Sequence, residues 1–208
     1  MPERTVEDRL REEYFDLLPD IRHVVEHMKA ETRHRLLAIS GRLDKHEQIK
    51  VDSRIKECES ALDKLRRREQ GRIFDQEKSY TLKDLKDLAG VRVLVFPRSR
   101  LEEIDIALRP IFESRTADPI LGDGGETLAL KYWGYCPEAS SKVPGEYQIV
   151  PMLTGLFWTV EHSAIYKPSP RYKDAVRTPQ MQALRQKVLE ALGAFEEEFE
   201  RLVRDEKS

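Results

Sequence analysis

The sequence contains little that would suit a disulfide-bonded, metal-clustered or membrane-spanning protein. Its two cysteines, Cys58 and Cys136, have the spacing of neither a disulfide framework nor a set of metal ligands, which fits a reducing compartment. No apolar run approaches the ~18 residues of a bilayer span, and the charged N-terminus does not resemble a signal peptide. We therefore expect a cytoplasmic protein with no membrane partner.

The chain also lacks an excess of one charge. Lys and Arg number 36 against 38 Asp and Glu, for a net charge of -2. A general polyanion-binding surface is therefore excluded, and a nucleotide or nucleic-acid site must be a local basic patch. Charged residues make up 36% and hydrophobic residues 39%. Because the apolar residues are periodic, these proportions predict a folded chain rather than a disordered one.

Apolar periodicity divides the 208 residues into three parts. Residues 1–45 predict a helical region with an interruption at Pro19, and 171–208 predict a C-terminal helix that begins at Thr178. Between them, 46–170 combine alternating or apolar strand patterns with helical ones. The predicted fold class is α+β, a mixed sheet of about five strands flanked by helices, with helical extensions at both ends.

Three local predictions concern the central part. A capping pattern at Thr81 predicts a helix that ends at Gly90. The Pro- and Gly-containing stretch 117–126 predicts a loop. The apolar periodicity from 152 to 166 predicts a further helix.

Cationic side chains cluster on a predicted strand and the helix that follows it. Arg54 and Lys56 are two residues apart on the strand and therefore share a face. Ser60 and Lys64 are four apart on the helix, near its N-terminus, where anions are favoured. One interpretation is a solvated sheet edge, and the other is a site for a triphosphate. Arg66–Arg68, further along the helix, are interpreted as a solvated, basic helix end.

Two carboxylates suggest a magnesium site. Asp87 lies just before an apolar strand that carries Arg92, so the two form either a structural ion pair or a metal ligand beside a nucleotide contact. Glu146 and Gln148 share a face of another strand. Glu146 suits a second metal ligand or a general base for an attacking hydroxyl. Tyr135 either stacks on a purine or packs against its own protein.

Taken together, these residues resemble the synthetase domain of the RelA/SpoT family of alarmone synthetases, in their small single-domain form. The resemblance covers residues 45 to 170 and rests on the order of short motifs, which end with Trp158, Glu161, His162, Tyr166 and Lys167. It implies a nucleotidyltransferase-like synthetase fold, Mg2+ as cofactor and pyrophosphate transfer from ATP to the 3′-hydroxyl of GDP or GTP. For Trp158 and His162 themselves, the helical spacing favours a role in the core.

The resemblance also implies roles for individual residues. Arg54 and Arg92 match the positions that clamp adenine. The positions that contact the ATP phosphates match Lys56, Ser60 and Lys64. The catalytic residues are Glu146 and Asp87, which are also the metal ligands. Tyr135 and Gln148 fall on the side of the acceptor, with Tyr135 stacking on its guanine.

The departures from the family pattern fall on the acceptor half. Cys136–Ala139 replace the segment after Gly-Tyr that usually carries a histidine, and Val150-Pro151 replace Arg-Thr. Two alternatives therefore stay open. One is a toxic relative that modifies another acceptor, such as the tRNA 3′ end or an adenosine nucleotide. The other is a nucleotide-binding module without turnover. The sequence also leaves open an antitoxin partner and a homo-oligomer.

Overall fold

A computed structural model describes residues 4–69, 73–76, 78–122, 125, 127–163 and 178–206. The helices in these ranges are α1 (Val6–Ser40), α2 (Cys58–Arg66), α3 (Leu101–Leu108), α4 (Met152–Glu161) and α5 (Pro179–Glu206). The strands are β1 (Gln48–Ile55), β2 (Ala89–Phe96), β3 (Arg115–Ala117), β4 (Ile120–Leu121), β5 (Thr127–Cys136) and β6 (Ser140–Pro151).

The strands form a mixed sheet. Its order is β1-β2-β6-β5-β3, with β4 paired to β5 beside this path. Strands β2 and β6 are parallel, and the other pairs are antiparallel. The predicted α+β class is confirmed, with six described strands rather than about five. The additional pairing comes from 117–126, where we expected only a loop, because Ile120 and Leu121 pair with β5.

Helix α1 is continuous through Pro19, so the predicted interruption is wrong. A proline inside a helix costs about 3 kcal/mol. The buried side of α1 nevertheless runs past it without a gap, through Leu17, Ile21 and Val24. Each such side chain contributes about 1.5–3 kcal/mol on burial. Packing of this stripe on the sheet therefore outweighs the local defect.

The predicted helix from Thr81 to Gly90 is also wrong. Only Leu82–Asp84 form a single 3-10 turn, and Gly90 lies within β2. The backbone N–H of Lys56 donates to the carbonyl of Leu88 at 2.9 Å. This bond extends the pairing of β1 with β2, so the segment joins the sheet instead of completing a helix.

The two faces of the sheet are covered differently. Helix α1 packs on one face, against β1, β2 and β6, and buries side chains such as Val93 and Tyr147. On the other face, α4 lies over Leu94 and Val150. A Cβ at Gly155 of α4 would collide with Leu94, so glycine permits this close approach. The remainder of that face is left for polar side chains.

The C-terminal helix begins as predicted. The hydroxyl of Thr178 accepts a hydrogen bond from the backbone N–H of Met181 at 3.2 Å, and Pro179 is the first helical residue. The predicted helix from 152 is described to Glu161. Tyr166 and Lys167 lie outside the described residues. Among the described helices, none has both the length and the apolarity that a bilayer span requires.

Candidate active site

The polar face of the sheet carries two rows of cross-strand neighbours. In the first row, Arg54 on β1 pairs with Gly90 on β2, and Gly90 pairs with Glu146 on β6. In the second, Arg92 on β2 pairs with Gln148 on β6. Directly paired residues lie on the same face about 4.5–5.5 Å apart between Cβ atoms. Strand register therefore gathers residues that are up to 94 positions apart in the sequence.

A buried carboxylate holds two lysines at one end of these rows. Oδ2 of Asp87 lies 3.0 Å from Nζ of Lys56 and 2.8 Å from Nζ of Lys64. Burial raises the pKa of Asp87, but the hydrogen bond from Lys64 and the charge of Lys56 outweigh it, and the pKa is lowered. Burial lowers the pKa of Lys56. The alternative Asp87–Arg92 ion pair does not form.

A chain of hydrogen bonds crosses the middle of the polar face. Nε of Arg92 donates to Oε1 of Gln148 at 3.1 Å, and Nε2 of Gln148 donates to Oε1 of Glu146 at 2.9 Å. Burial, and then the negative charge of Asp87, raise the pKa of Glu146. Burial and the neighbouring Arg54 lower the pKa of Arg92. Gln148 thus fixes a carboxylate whose environment favours taking up a proton.

Three adjoining hollows share Arg54, and we call them together the cleft. The central hollow, of about 220 Å³, is lined by Arg54, Arg92, Glu146 and Gln148 among others. The apolar hollow, of about 420 Å³, adds Ile120, Leu121, Leu128 and Trp158 to the two arginines and is also lined by Thr159, Glu161, His162 and Arg185. The lysine hollow, of about 230 Å³, is lined by Arg54, Lys56, Ser60, Arg67 and His162 with Glu57 and Asp63. A strip of apolar surface is thus continuous with a strip of cations.

The structure brings most of the predicted site residues to this cleft. The cleft is lined by Arg54, Lys56, Ser60, Arg92, Glu146 and Gln148. Asp87 contacts Lys56 of this lining, and Lys64 contacts Asp87. Tyr135 is different. It lies at the end of β5, 42% exposed, and is not among the residues that line the three hollows.

Sequence reasoning assigned two residues of the lysine hollow to the wrong place. Arg67 was predicted to be a solvated helix end, and His162 to lie in the core. Instead both line this hollow, and His162 is exposed. The core prediction is therefore wrong for His162, because it follows the last turn of α4 at the cleft wall. Trp158 does pack against the small core of Leu94 and Val150.

The carboxylates of Asp87 and Glu146 suit a divalent cation. Oδ1 of Asp87 is buried and has no hydrogen-bond partner, a condition that is costly unless a ligand satisfies the atom. The negative charge of Asp87 contributes to the raised pKa of Glu146, so the two carboxylates repel each other. Carboxylate oxygens are the ligands that Mg2+ prefers. Asp87 and Glu146 therefore fit the predicted metal, which would relieve both defects.

Comparison with solved structures identifies the fold. The chain resembles small alarmone synthetase 1 from Bacillus subtilis bound to AMPCPP, at 22% identity and a TM-score of 0.62, over 95% of this chain and 99% of that one. The same synthetase bound to its product pppGpp aligns at 18% identity and a TM-score of 0.65, over 93% and 97%.

A GTP pyrophosphokinase family protein from Streptococcus pneumoniae aligns at 20% identity and a TM-score of 0.64, over 93% of this chain and 94% of that one. The sequence matches no protein-family model and, at a significant level, no curated protein. The protein therefore has the RelA/SpoT-type fold of the small alarmone synthetases, as the sequence motifs predicted.

Proposed function

We propose that the protein is a magnesium-dependent pyrophosphokinase that transfers pyrophosphate from ATP to the 3′-hydroxyl of a guanosine nucleotide. The observation that carries the proposal is the shared cleft. It combines Arg54, Lys56, Lys64 and Arg92 with the carboxylates of Asp87 and Glu146. The fold agrees, since one solved neighbour was bound to AMPCPP, an ATP analogue, and one to pppGpp.

The donor nucleotide fits the two ends of the cleft. Adenine would lie between the guanidinium groups of Arg54 and Arg92, beside the apolar hollow, where planar cations stack well on an aromatic base. Its phosphates would extend towards Lys56, Ser60 and Lys64. Lysine ammonium groups bind phosphate oxygens as point charges and would neutralise charge that develops on the departing AMP.

Magnesium would be held by Asp87 with Glu146. When bound, it would supply a positive charge that stabilises the phosphate oxygens in the transition state. Oδ2 of Asp87 contacts the ammonium groups of both Lys56 and Lys64. Phosphate binding would transfer these lysines to the donor, which frees the carboxylate for the metal.

Glu146 is proposed as the base. Burial and the negative charge of Asp87 raise the pKa of Glu146, and a raised pKa makes a carboxylate a better proton acceptor. The acceptor 3′-oxygen would form a bond to the β-phosphorus of ATP as the bond from that phosphorus to the α,β-bridging oxygen breaks. The hydroxyl proton would pass to Glu146, and AMP would leave. Positioning and electrostatics supply most of the acceleration in such transfers.

The test is AMP release from ATP and Mg2+ with a panel of acceptors: GDP, GTP, ADP, ATP and deacylated tRNA. We expect release that depends on GDP or GTP and is lost in Arg54→Gln. A matched control is Arg68→Gln, because Arg68 is also basic and exposed but is not among the residues that line the cleft. AMP release only with tRNA or adenosine nucleotides would show that the acceptor is not a guanosine nucleotide. ATP binding without AMP release with any acceptor would indicate a nucleotide-binding module without turnover.

A further inference from the structure

An indole ring lies on the polar face one strand beyond Glu146. Trp133 of β5 is the direct cross-strand partner of Glu146, and paired residues share a face of the sheet. The first row of the site therefore continues from Arg54 through Gly90 and Glu146 to Trp133. The donor side of Glu146 is occupied by arginines, and the opposite side by this aromatic ring.

Two lysines accompany the ring. Nζ of Lys86 lies 4.0 Å from the centre of the Trp133 ring, a cation–π contact. Lys86 is exposed and directly precedes Asp87. Lys131, two residues before Trp133 on the same face, is held by Asp118 at 2.6 Å, and its charge acts on Glu146. Such a combination of aromatic ring and lysine offers both a stacking surface and a phosphate contact.

Tyr135 is less well placed for stacking. The pairing of β5 with β6 shifts register between Gly134 and Cys136, so Tyr135 lies at an irregularity rather than in a regular pair. In contrast, Trp133 is in direct register with the proposed base. The larger indole ring also offers more surface for stacking than the phenol of Tyr135.

We propose that Trp133 is the stacking surface for the base of the acceptor, and that Lys86 moves from the ring to the acceptor 5′-phosphates. The acceptor class is a free purine nucleoside 5′-phosphate. The assignment rests on the proposed function, since it names the acceptor site of that reaction. It differs from the role that family resemblance implies for Tyr135.

Strand spacing supports this division of the cleft. Neighbouring strands lie about 4.8 Å apart, so β6 stands roughly 10 Å from β1 and about 5 Å from β5. A base on Trp133 therefore lies beside Glu146, within one strand spacing, while the apolar hollow lies on the arginine side. The acceptor ribose would reach Glu146 without crossing the donor.

The two tryptophans of the chain allow a binding test that needs no turnover. Trp158 lines the apolar hollow, so Trp158→Phe leaves only the fluorescence of Trp133, and Trp133→Phe leaves only that of Trp158. Each variant is first saturated with AMPCPP and Mg2+. Added GDP should then quench Trp158→Phe in a saturable way and leave Trp133→Phe unchanged. The reverse pattern, or no quenching by any free nucleotide, overturns the assignment.

Kinetics give the second readout. Base–aromatic stacking lost on alanine substitution corresponds to a roughly 5- to 150-fold change in affinity. Trp133→Ala should raise the KM for the acceptor at least about fivefold, with the KM for ATP changed less than twofold. Trp133→Phe should have a smaller effect, because a ring remains. Tyr135→Ala is the comparison variant, and the inference expects it to raise the acceptor KM less than Trp133→Ala does.

Lys86 tests the phosphate contact. Lys86→Gln should reduce the preference for GDP over GMP, because the contact to the added phosphate is lost. An unchanged acceptor KM in Trp133→Ala, or a larger rise in Tyr135→Ala, overturns the inference while the activity itself stands. If the wild-type protein releases no AMP with any acceptor, the proposed function fails, and the fluorescence titration still decides whether Trp133 binds the nucleotide.

Discussion

Replacement of Asp87 by asparagine should destabilise the ligand-free protein and make it more responsive to polyphosphate. Asp87 neutralises two lysines that differ in burial, since the side chain of Lys56 is 13% exposed and that of Lys64 is 38% exposed. Breaking a buried pair costs about 3–5 kcal/mol, and a screened pair about 0.2–1 kcal/mol. Asparagine keeps the volume and one acceptor, and Lys64 can turn to solvent. We therefore expect a loss of about 2–3 kcal/mol in unfolding free energy.

The sign of the pH dependence follows from the lowered pKa of Asp87. A carboxyl group with a lowered pKa stabilises the folded state above its unfolded pKa, about 3.9, and this stability is lost as pH falls through the folded value. The difference in unfolding free energy between wild type and Asp87→Asn should therefore reach its full value at pH 7 and become small below about pH 4. Urea unfolding followed by circular dichroism measures both.

Tripolyphosphate provides the decisive comparison. In the wild type, the anion competes with Asp87 for Lys56 and Lys64, whereas in Asp87→Asn it meets uncompensated cations. The variant should therefore gain more stability from the anion, although its turnover is lost. Arg68→Gln serves as the control for general charge effects. Equal stability of wild type and Asp87→Asn at pH 7, or an equal response to tripolyphosphate, would refute the ion-pair argument.

Three further predictions concern the site and the packing of α4. Glu146→Gln should abolish AMP release yet raise unfolding free energy at pH 7 by about 0.5–2 kcal/mol. Because the pKa of Glu146 is raised, its ionisation destabilises the folded state at pH 7, and this cost disappears once the group is protonated in both states. The stability gained in Glu146→Gln should therefore vanish near pH 4 in urea titrations. A loss of stability at pH 7 would contradict this prediction. Gln148→Ala should lower kcat about tenfold, because a hydrogen bond to a charged group is lost. The KM for ATP should stay within twofold, and a larger rise there would mean that Gln148 serves binding instead. Gly155→Val should lower the unfolding free energy by about 1–3 kcal/mol, and with it the Tm, by overpacking against Leu94. An unchanged Tm would show that α4 can shift.

Local patterns were sufficient for much of the fold. Alternation around Arg54 and the apolar run after Gly90 predicted β1 and β2, and the Thr178-Pro179 pair predicted the start of α5. The failures at Pro19 and Thr81 have one cause. In both, tertiary packing overrides a local signal, through the continuous buried stripe of α1 and through the backbone pairing of Leu88 with Lys56.

The candidate site divides in the same way. Sequence motifs supplied the residue types, including the cations and the two carboxylates. They could not supply the partner of Asp87, which proved to be the two lysines instead of Arg92. Nor could they identify Trp133, which belongs to no local charge pattern, or show that His162 faces the lysine hollow instead of the core.

The sequence by itself determined most of the strands and helices and the kinds of side chain available for nucleotide chemistry, because these depend largely on residues a few positions apart. Only the tertiary structure decided which of them meet. The parallel pairing of β2 with β6 sets Gly90 beside Glu146, and the antiparallel pairing of β5 then sets Trp133 on its other side. A shift of one residue in either register would turn these side chains to the opposite face.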